Sequence, residues 1–202
     1  AWGDAAAEAA GAALAAPPPL DISLRDPADT AHWAEALPGT SLMPGHVRMA
    51  RAGSVEALSG FGEGAWWVQD LAASRPARLL GRGEGRTVLD LCAAPGGKTL
   101  QLAAAGWQVT AVDAVAKRLA MVSEGLARTG LAAETLAEDL LDWEPQALRD
   151  AVLLDAPCSA TGIFRRHPDV LYRIGRDAIA ERAELQSRLL DRAAHWVKPG
   201  GM

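Results

Sequence analysis

Four aspartates stand at positions where an α/β fold could use them for binding or catalysis. Asp90 ends a short apolar segment, and Asp113, Asp139 and Asp155 each come at or just after the end of another. In an open parallel sheet, ligands bind beyond the carboxyl ends of the strands, so acids at those ends face one site. An acid after the second strand is suited to hold a pair of ribose hydroxyls by a bidentate hydrogen bond. Any one of them could instead cap a helix or face solvent, but four in corresponding positions favour a common site.

The loop after the first apolar segment consists mainly of small residues. Residues 92–98 read Cys-Ala-Ala-Pro-Gly-Gly-Lys, and small side chains let the backbone approach a ligand closely. A second glycine-rich segment, Gly-Arg-Gly-Glu-Gly at 81–85, precedes a strand where a nucleotide-binding fingerprint would follow one. We therefore expect ligand contacts at 92–98 and an ordinary loop at 81–85.

Strand and helix patterns alternate around these acids and loops. The patterns predict strands over 47–49, 55–58, 87–91, 108–112, 133–136 and 151–154. They predict helices over 33–37, 70–80, 98–105, 115–128 and 177–196. The alternation after residue 86 is typical of an α/β fold with a doubly wound parallel sheet. A further strand would begin near Met202, so the sheet within these residues is expected to be incomplete at its C-terminus.

The part of the chain before residue 65 is expected to be organised separately. Residues 1–19 look like a linker or the remnant of a preceding domain, with an alanine-rich helix over 4–16 that the prolines at 17–19 end. We expect a small α+β module over residues 20–64 and the main ligand-binding domain over residues 65–202.

Composition and charge limit the class of protein. Half of the residues are apolar, which excludes a disordered chain, and no apolar run is long enough to span a membrane. Two cysteines are too few for a disulfide framework, so we expect a reduced, cytoplasmic protein. The net charge is −5, yet residues 159–202 carry 8 basic and 5 acidic side chains. This concentration is compatible with phosphate contact and equally with a solvated surface.

Two motifs resemble a known enzyme family. Residues 90–99, Asp-Leu-Cys-Ala-Ala-Pro-Gly-Gly-Lys-Thr, and 155–162, Asp-Ala-Pro-Cys-Ser-Ala-Thr-Gly, are similar to two signatures of the RsmB/Sun/Nop RNA 5-methylcytosine methyltransferases. Segments 67–70 and 165–169 also resemble that family, and the resemblance extends over roughly 20–202. It implies a Rossmann-like class I methyltransferase that uses S-adenosylmethionine and acts on RNA. Small-subunit (16S) ribosomal RNA is the implied partner, with no metal and no membrane.

The resemblance also implies roles for individual residues. Asp113 would hold the ribose, Asp139 would lie by the adenine and amino edge, and Asp155 would lie near the methionine end and the target base. The phosphates beside that base would be bound by Arg165, Arg166 and His167. The remaining cofactor contacts would come from the loop residues Cys92, Ala93, Ala94, Pro95, Gly96, Gly97 and Lys98.

The cysteines matter because carbon 5 of cytosine is a poor nucleophile. A thiolate that adds to the neighbouring ring carbon makes carbon 5 reactive enough to attack a sulfonium methyl group. Cys158 is therefore a catalytic candidate, whereas Cys92 is expected to pack within the cofactor loop. In the family, the attacking cysteine usually lies in a Thr-Cys-Ser motif after the Lys-Pro-Gly-Gly turn, and the match to Cys158 assists product release. Residues 198–201 form that turn and the sequence ends at Met202, so we expect cofactor binding without efficient turnover by these residues.

Two other functions were considered. Gly97, Lys98 and Thr99 look like the end of a P-loop, but the glycine required five positions earlier is replaced by Cys92, and Pro95 lacks an amide that the phosphate cradle would use. A P-loop nucleotidase is therefore disfavoured. The second alternative is an inactive methyltransferase fold that serves as an RNA-binding module.

Overall fold

The computed structural model describes residues 3–15, 18–50, 53–163, 166–167 and 169–202. Within these ranges the chain forms an antiparallel and a parallel sheet. The strands are β1 (Leu20–Leu24), β2 (Thr40–Met43), β3 (His46–Met49), β4 (Trp66–Val68), β5 (Thr87–Leu91), β6 (Gln108–Val112), β7 (Glu134–Leu136) and β8 (Ala151–Leu154). The helices are α1 (Asp4–Ala15), α2 (Thr30–Ala36), α3 (Leu71–Leu79), α4 (Gly97–Ala104), α5 (Ala116–Thr129), α6 (Val170–Arg173) and α7 (Arg176–Ala194).

The second sheet is parallel and has the order β7-β6-β5-β8. Its strands are continuous apolar runs because helices cover both of its faces. Leu89 and Leu91 point to the face that α7 covers, where they join a buried cluster with Leu189. Val88 points to the opposite face and clusters with Leu102 of α4. The predicted doubly wound α/β fold is confirmed.

The edge of this sheet beside β8 continues into the last residues of the chain. The backbone N–H of Met202 donates to the carbonyl of Asp150 at 3.1 Å, and the N–H of Val152 donates to the carbonyl of Met202 at 2.8 Å. A parallel bridge also joins Arg149 to Val197. Met202 thus pairs with the backbone of β8 at the outer edge of the sheet.

The first sheet has the order β2-β3-β1-β4 and is antiparallel. All five residues of β1 are buried, so its alternation of apolar and polar residues does not mark an exposed face. The strand expected over 55–58 is wrong, since Val55–Ala57 forms a 3-10 turn. Local bonds from the N–H of Ala57 to Ser54 and of Leu58 to Val55 replace strand pairing there. Because β4 pairs with β1, the sheet also extends beyond residue 64, where the module was expected to end.

In the described ranges, no helix combines the length and the apolar character needed to cross a lipid bilayer.

Asp21 of β1 links the first sheet to α3 through a buried carboxylate. Arg48 donates to both of its oxygens at 2.7 and 2.8 Å, and the backbone N–H of Leu71 at the start of α3 donates at 3.0 Å. His46, fully buried, lies 3.4 Å away. Burial alone would raise the pKa of Asp21, but the bonds from Arg48 and Leu71 lower it to about 2. The ionised carboxylate therefore fixes α3 against the first sheet.

We expect Asp21→Asn to reduce the free energy of unfolding by about 2–4 kcal/mol, because an amide leaves donors of the buried cluster without an acceptor. The contribution of Asp21 is present above pH 4 and is lost as the pH falls toward its folded pKa of about 2. Urea denaturation across this range should therefore show a steeper acid loss for wild type than for the variant. Asp142→Asn, at an exposed position, is the control, and equal stabilities of wild type and Asp21→Asn would contradict the assignment.

Candidate active site

The carboxyl ends of the parallel strands lie at one edge of the sheet. Leu91 is in register with Val112 on one side and with Leu154 on the other, and Val112 is in register with Leu136. Backbone bonds continue the alignment past the strands: the N–H of Asp155 donates to Leu91 at 3.1 Å. The residues that follow β5, β6, β7 and β8 therefore converge, as their positions in the sequence suggest.

The loop between β5 and α4 packs closely against α5. Cys92 has a positive φ of 59°, which a non-glycine residue rarely adopts. Gly96 has a φ of 109°, and a Cβ atom added there would lie 3.1 Å from the Cα atom of Val122 in α5. This close approach requires glycine, and it brings the backbone of the loop to the edge where Asp113 emerges.

Asp113 organises this loop from the end of β6. Its Oδ2 accepts from the N–H of Ala94 at 3.2 Å and its Oδ1 from the N–H of Val115 at 3.0 Å. Arg118 in the first turn of α5 donates to the carbonyl of Ala94 at 2.7 Å and lies 3.5 Å from Asp113. Sequence reasoning missed Arg118, although a basic residue one helical turn after a strand-end acid was an available signal. A carboxylate has about four acceptor positions, so Asp113 retains some for a ligand.

Lys98 and Asp155 form an ion pair across the same edge. The Nζ atom of Lys98, at the start of α4, lies 2.6 Å from Oδ2 of Asp155 after β8. Both border a cleft of about 190 Å³ that Asp70, Asp90 and Cys92 also line. The cleft thus combines an ammonium group, carboxyl groups and the backbone of the loop.

Asp90 is the most buried acid of the cleft. Oδ2 accepts from the hydroxyl of Thr99 at 2.5 Å, whereas the buried Oδ1 has no hydrogen-bond partner among the described residues. Burial raises the pKa of Asp90 to about 7, against the opposing effects of Thr99 and Lys98. A neutral or easily protonated carboxyl group therefore lies beneath the Lys98–Asp155 ion pair.

The two cysteines have different surroundings. Cys92 is partly buried, and burial together with the nearby Asp113 raises the pKa of its thiol to about 11. Cys92 is therefore protonated at neutral pH, which agrees with a packing role. Cys158 is exposed in the loop after β8 and accepts from the N–H of Ala160 at 3.3 Å. Gln186 of α7, also missed from the sequence, fixes this loop by donating to the carbonyl of Pro157 at 2.8 Å.

The structure gives other contacts for the remaining residues that the resemblance implies. Asp139 is exposed and accepts from the N–H of Leu141 at 2.9 Å, so it stabilises the turn after β7. Arg166 forms an ion pair with Asp70 at 3.0 Å, and His167 is exposed. Arg165 lies outside the described residues.

Among the described residues, no group of three or more His, Cys, Asp or Glu side chains is placed to hold a metal ion.

Comparison with protein families and relatives points to one family. The family model for the 16S rRNA methyltransferase RsmB/F matches residues 77–202. A ribosomal RNA small subunit methyltransferase B from Cronobacter sakazakii is 44% identical over 163 residues, which cover 78% of this chain and 38% of that protein. The chain therefore spans well under half the length of this relative.

Solved structures agree with this result. A methyltransferase homolog protein from Pyrococcus horikoshii superposes with a TM-score of 0.76 and 26% identity, covering 94% of this chain and 64% of that one. NSun6 from Pyrococcus horikoshii, solved with SFG, superposes with a TM-score of 0.67 and 27% identity, covering 79% and 41%.

We expect Asp90→Asn to change how stability depends on pH. In the unfolded chain this carboxyl ionises near its ordinary pKa of 3.8, whereas in the folded chain it ionises near 7. Between these values the folded state holds a proton that the unfolded state has lost, so rising pH destabilises the wild type. The variant lacks this effect. Its free energy of unfolding, relative to that of wild type, should therefore rise by about 2–4 kcal/mol between pH 4 and pH 8.

Urea denaturation at pH 4, 6 and 8 measures this difference. Glu138→Gln, at an exposed position after β7, serves as the control and should follow wild type at every pH. If the difference in free energy of unfolding between wild type and Asp90→Asn is the same at all three pH values, Asp90 is ionised in the folded chain throughout this range, which contradicts the prediction.

Proposed function

The chain belongs to the RsmB/F family of 16S rRNA methyltransferases, and on this premise we propose that it transfers a methyl group from S-adenosylmethionine to carbon 5 of a cytosine in small-subunit ribosomal RNA. The observation that carries the proposal is the convergence of Asp113, the 92–98 loop and the Lys98–Asp155 ion pair at one edge of the sheet. The exposed thiol of Cys158 follows Asp155 in the same strand-end loop.

The residues at this edge fit S-adenosylmethionine. Asp113 keeps acceptor positions for the ribose hydroxyls, and the loop brings backbone groups close to the ligand. Asp90 is among the residues that line the cleft, and its buried Oδ1 has no hydrogen-bond partner among the described residues. Asp139 would lie at the adenine side. When bound, S-adenosylmethionine supplies an electrophilic methyl group on its sulfonium sulfur.

The target base needs activation from the protein. A cysteine thiolate adds to ring carbon 6 and forms a carbon–sulfur bond, so carbon 5 gains the electron density to take the methyl group. A base then removes the proton from carbon 5, and the carbon–sulfur bond breaks to release the thiolate. In this proposal Asp155, held by Lys98 at 2.6 Å, orients the base. Cys158 assists release, and the attacking cysteine is that of the Thr-Cys-Ser motif that the family resemblance implies.

RNA would approach this edge as a single strand or with the base flipped out, since a stacked base hides its ring face. Arg165, Arg166 and His167 would contact neighbouring phosphates. Arg166 would then exchange its ion pair with Asp70 for a phosphate. A reduced, cytoplasmic setting is part of this proposal, since two cysteines are too few for a disulfide framework.

We expect the chain to bind S-adenosylmethionine, and Asp113→Asn to weaken binding about tenfold to a hundredfold, because a charged acceptor is replaced by an amide. Isothermal titration calorimetry measures the affinity. Mg-ATP serves as competitor, and Asp191→Asn, at an exposed site on α7, is the control variant. Binding of Mg-ATP that displaces the methyl donor would favour the P-loop nucleotidase instead.

Methyl transfer tests the chemistry. The 202 residues should methylate small-subunit RNA slowly, and a longer protein in which they are joined to the Thr-Cys-Ser segment of a family member should act at least about a hundredfold faster, because that segment supplies the attacking thiolate. In that longer protein, Cys158→Ser should accumulate a covalent protein–RNA adduct, whereas Cys92→Ser should not. Radiolabelled methyl transfer and denaturing gels report both quantities. Methylation at a position other than cytosine carbon 5 would overturn the proposed reaction.

A further inference from the structure

A second cleft lies between the antiparallel sheet and the C-terminal ends of α3 and α4. It encloses about 270 Å³, and Arg25, Arg78, Arg82, Ser23, Gln101 and Trp67 are among its lining residues. We call it the arginine cleft. It is separate from the cleft at Asp90 and Asp155, which borders the N-terminal ends of the same two helices.

The arginine cleft carries positive charge that the protein does not neutralise. No Asp or Glu lines it, and none of its three arginines forms an ion pair with another described residue. The guanidinium of Arg78 is held by the carbonyls of Pro44 and Gly45, at 2.9 and 3.2 Å. In a chain of net charge −5, three arginines around one cleft form a local positive region that attracts an anion.

The two outer arginines are largely free to bind that anion. Arg25 is exposed and donates one bond, from Nη1 to the carbonyl of Thr129 at 3.0 Å. Arg82 is exposed, and its side chain forms no hydrogen bond within the described residues. Ser23 also lines the cleft, with its hydroxyl buried and without a partner among the described residues. Guanidinium groups match the geometry of phosphate oxygens, so the two exposed arginines carry the argument for an anion.

The position of the arginine cleft suits an RNA that also enters the active site. Along α4, Gly97 and Lys98 border the active-site cleft, whereas Ala104 borders the arginine cleft. At 1.5 Å per residue, the two clefts are about 10 Å apart along this helix. A phosphate only a few nucleotides from the base in the active site can span that distance.

We propose that the arginine cleft binds a backbone phosphate of the RNA substrate, outside the nucleotide that is methylated. This inference rests on the proposed function for the existence of an RNA substrate. The phosphate occupies the space between Arg25 and Arg82, with Arg78 behind it. The contact adds affinity and positions the strand, and it does not read sequence.

The test is binding of a fluorescein-labelled single-stranded RNA from small-subunit ribosomal RNA, measured by anisotropy at several salt concentrations. Arg25→Gln and Arg82→Gln should each weaken binding about fivefold, and each should lower the slope of log affinity against log salt by about 0.7. Arg25→Lys keeps the charge and should retain most of the affinity. Arg188→Gln, at an exposed position of α7, removes one charge elsewhere and should leave the affinity unchanged.

The outcomes separate this inference from the proposed function. Wild-type binding that Arg25→Gln and Arg82→Gln leave unchanged, with an unaltered salt slope, overturns the arginine cleft alone. Failure of wild type to bind any RNA, although it binds S-adenosylmethionine, overturns both. Calorimetric binding of inorganic phosphate or AMP that needs Arg82 but does not compete with RNA would identify a small-anion site, and would also overturn the proposal. Circular dichroism of each variant confirms that it is folded.

Discussion

The parallel register of β5 with its two neighbours is the constraint on which the site depends. Leu91 is level with Val112 and with Leu154, so whatever follows each strand must emerge at the same edge. A shift of one residue in either pairing would turn Asp113 or Asp155 toward the opposite face of the sheet, since side chains alternate along a strand. The apolar packing of Leu89 and Leu91 against α7 fixes this register, and so core packing determines the geometry of the site.

Two buried aspartates show how the surroundings set the charge of a carboxyl group. Asp21 accepts bonds from Arg48 and from the backbone of Leu71, and its pKa falls to about 2. Among the described residues Asp90 accepts only from Thr99, and burial raises its pKa to about 7. Asp21 is an ionised structural link between the first sheet and α3. Asp90 can gain or lose a proton near neutrality, which reduces stability at high pH.

The sequence was sufficient for the main domain because its signals are local. Apolar runs, the glycine stop signal at Gly130 and the position of Asp113 after β6 are each contained in a few residues. The antiparallel sheet was harder to predict. Its strand β1 is buried on both faces, and the apolar residue Val55, expected in a strand, lies in a 3-10 turn. Contacts between distant segments could not be read at all. Arg166 pairs with Asp70, and Gln186 holds Pro157, and neither partner is implied by the residues around the other.

The distribution of charge in the folded chain is likewise only partly predictable from the sequence. Counting along the chain places excess positive charge after Cys158, yet the arginine cleft assembles Arg25, Arg78 and Arg82 from the residue after β1, from α3 and from the loop that follows α3. Residues 71–86 hold four arginines and one glutamate, so a local count indicates Arg78 and Arg82 but not their proximity to Arg25, which stands beside Asp26. Electrostatic attraction at a single point would leave a strand free to rotate and slide. A second phosphate contact about 10 Å from the active site removes much of that freedom, so binding energy distant from the chemistry is converted into correct placement of the base.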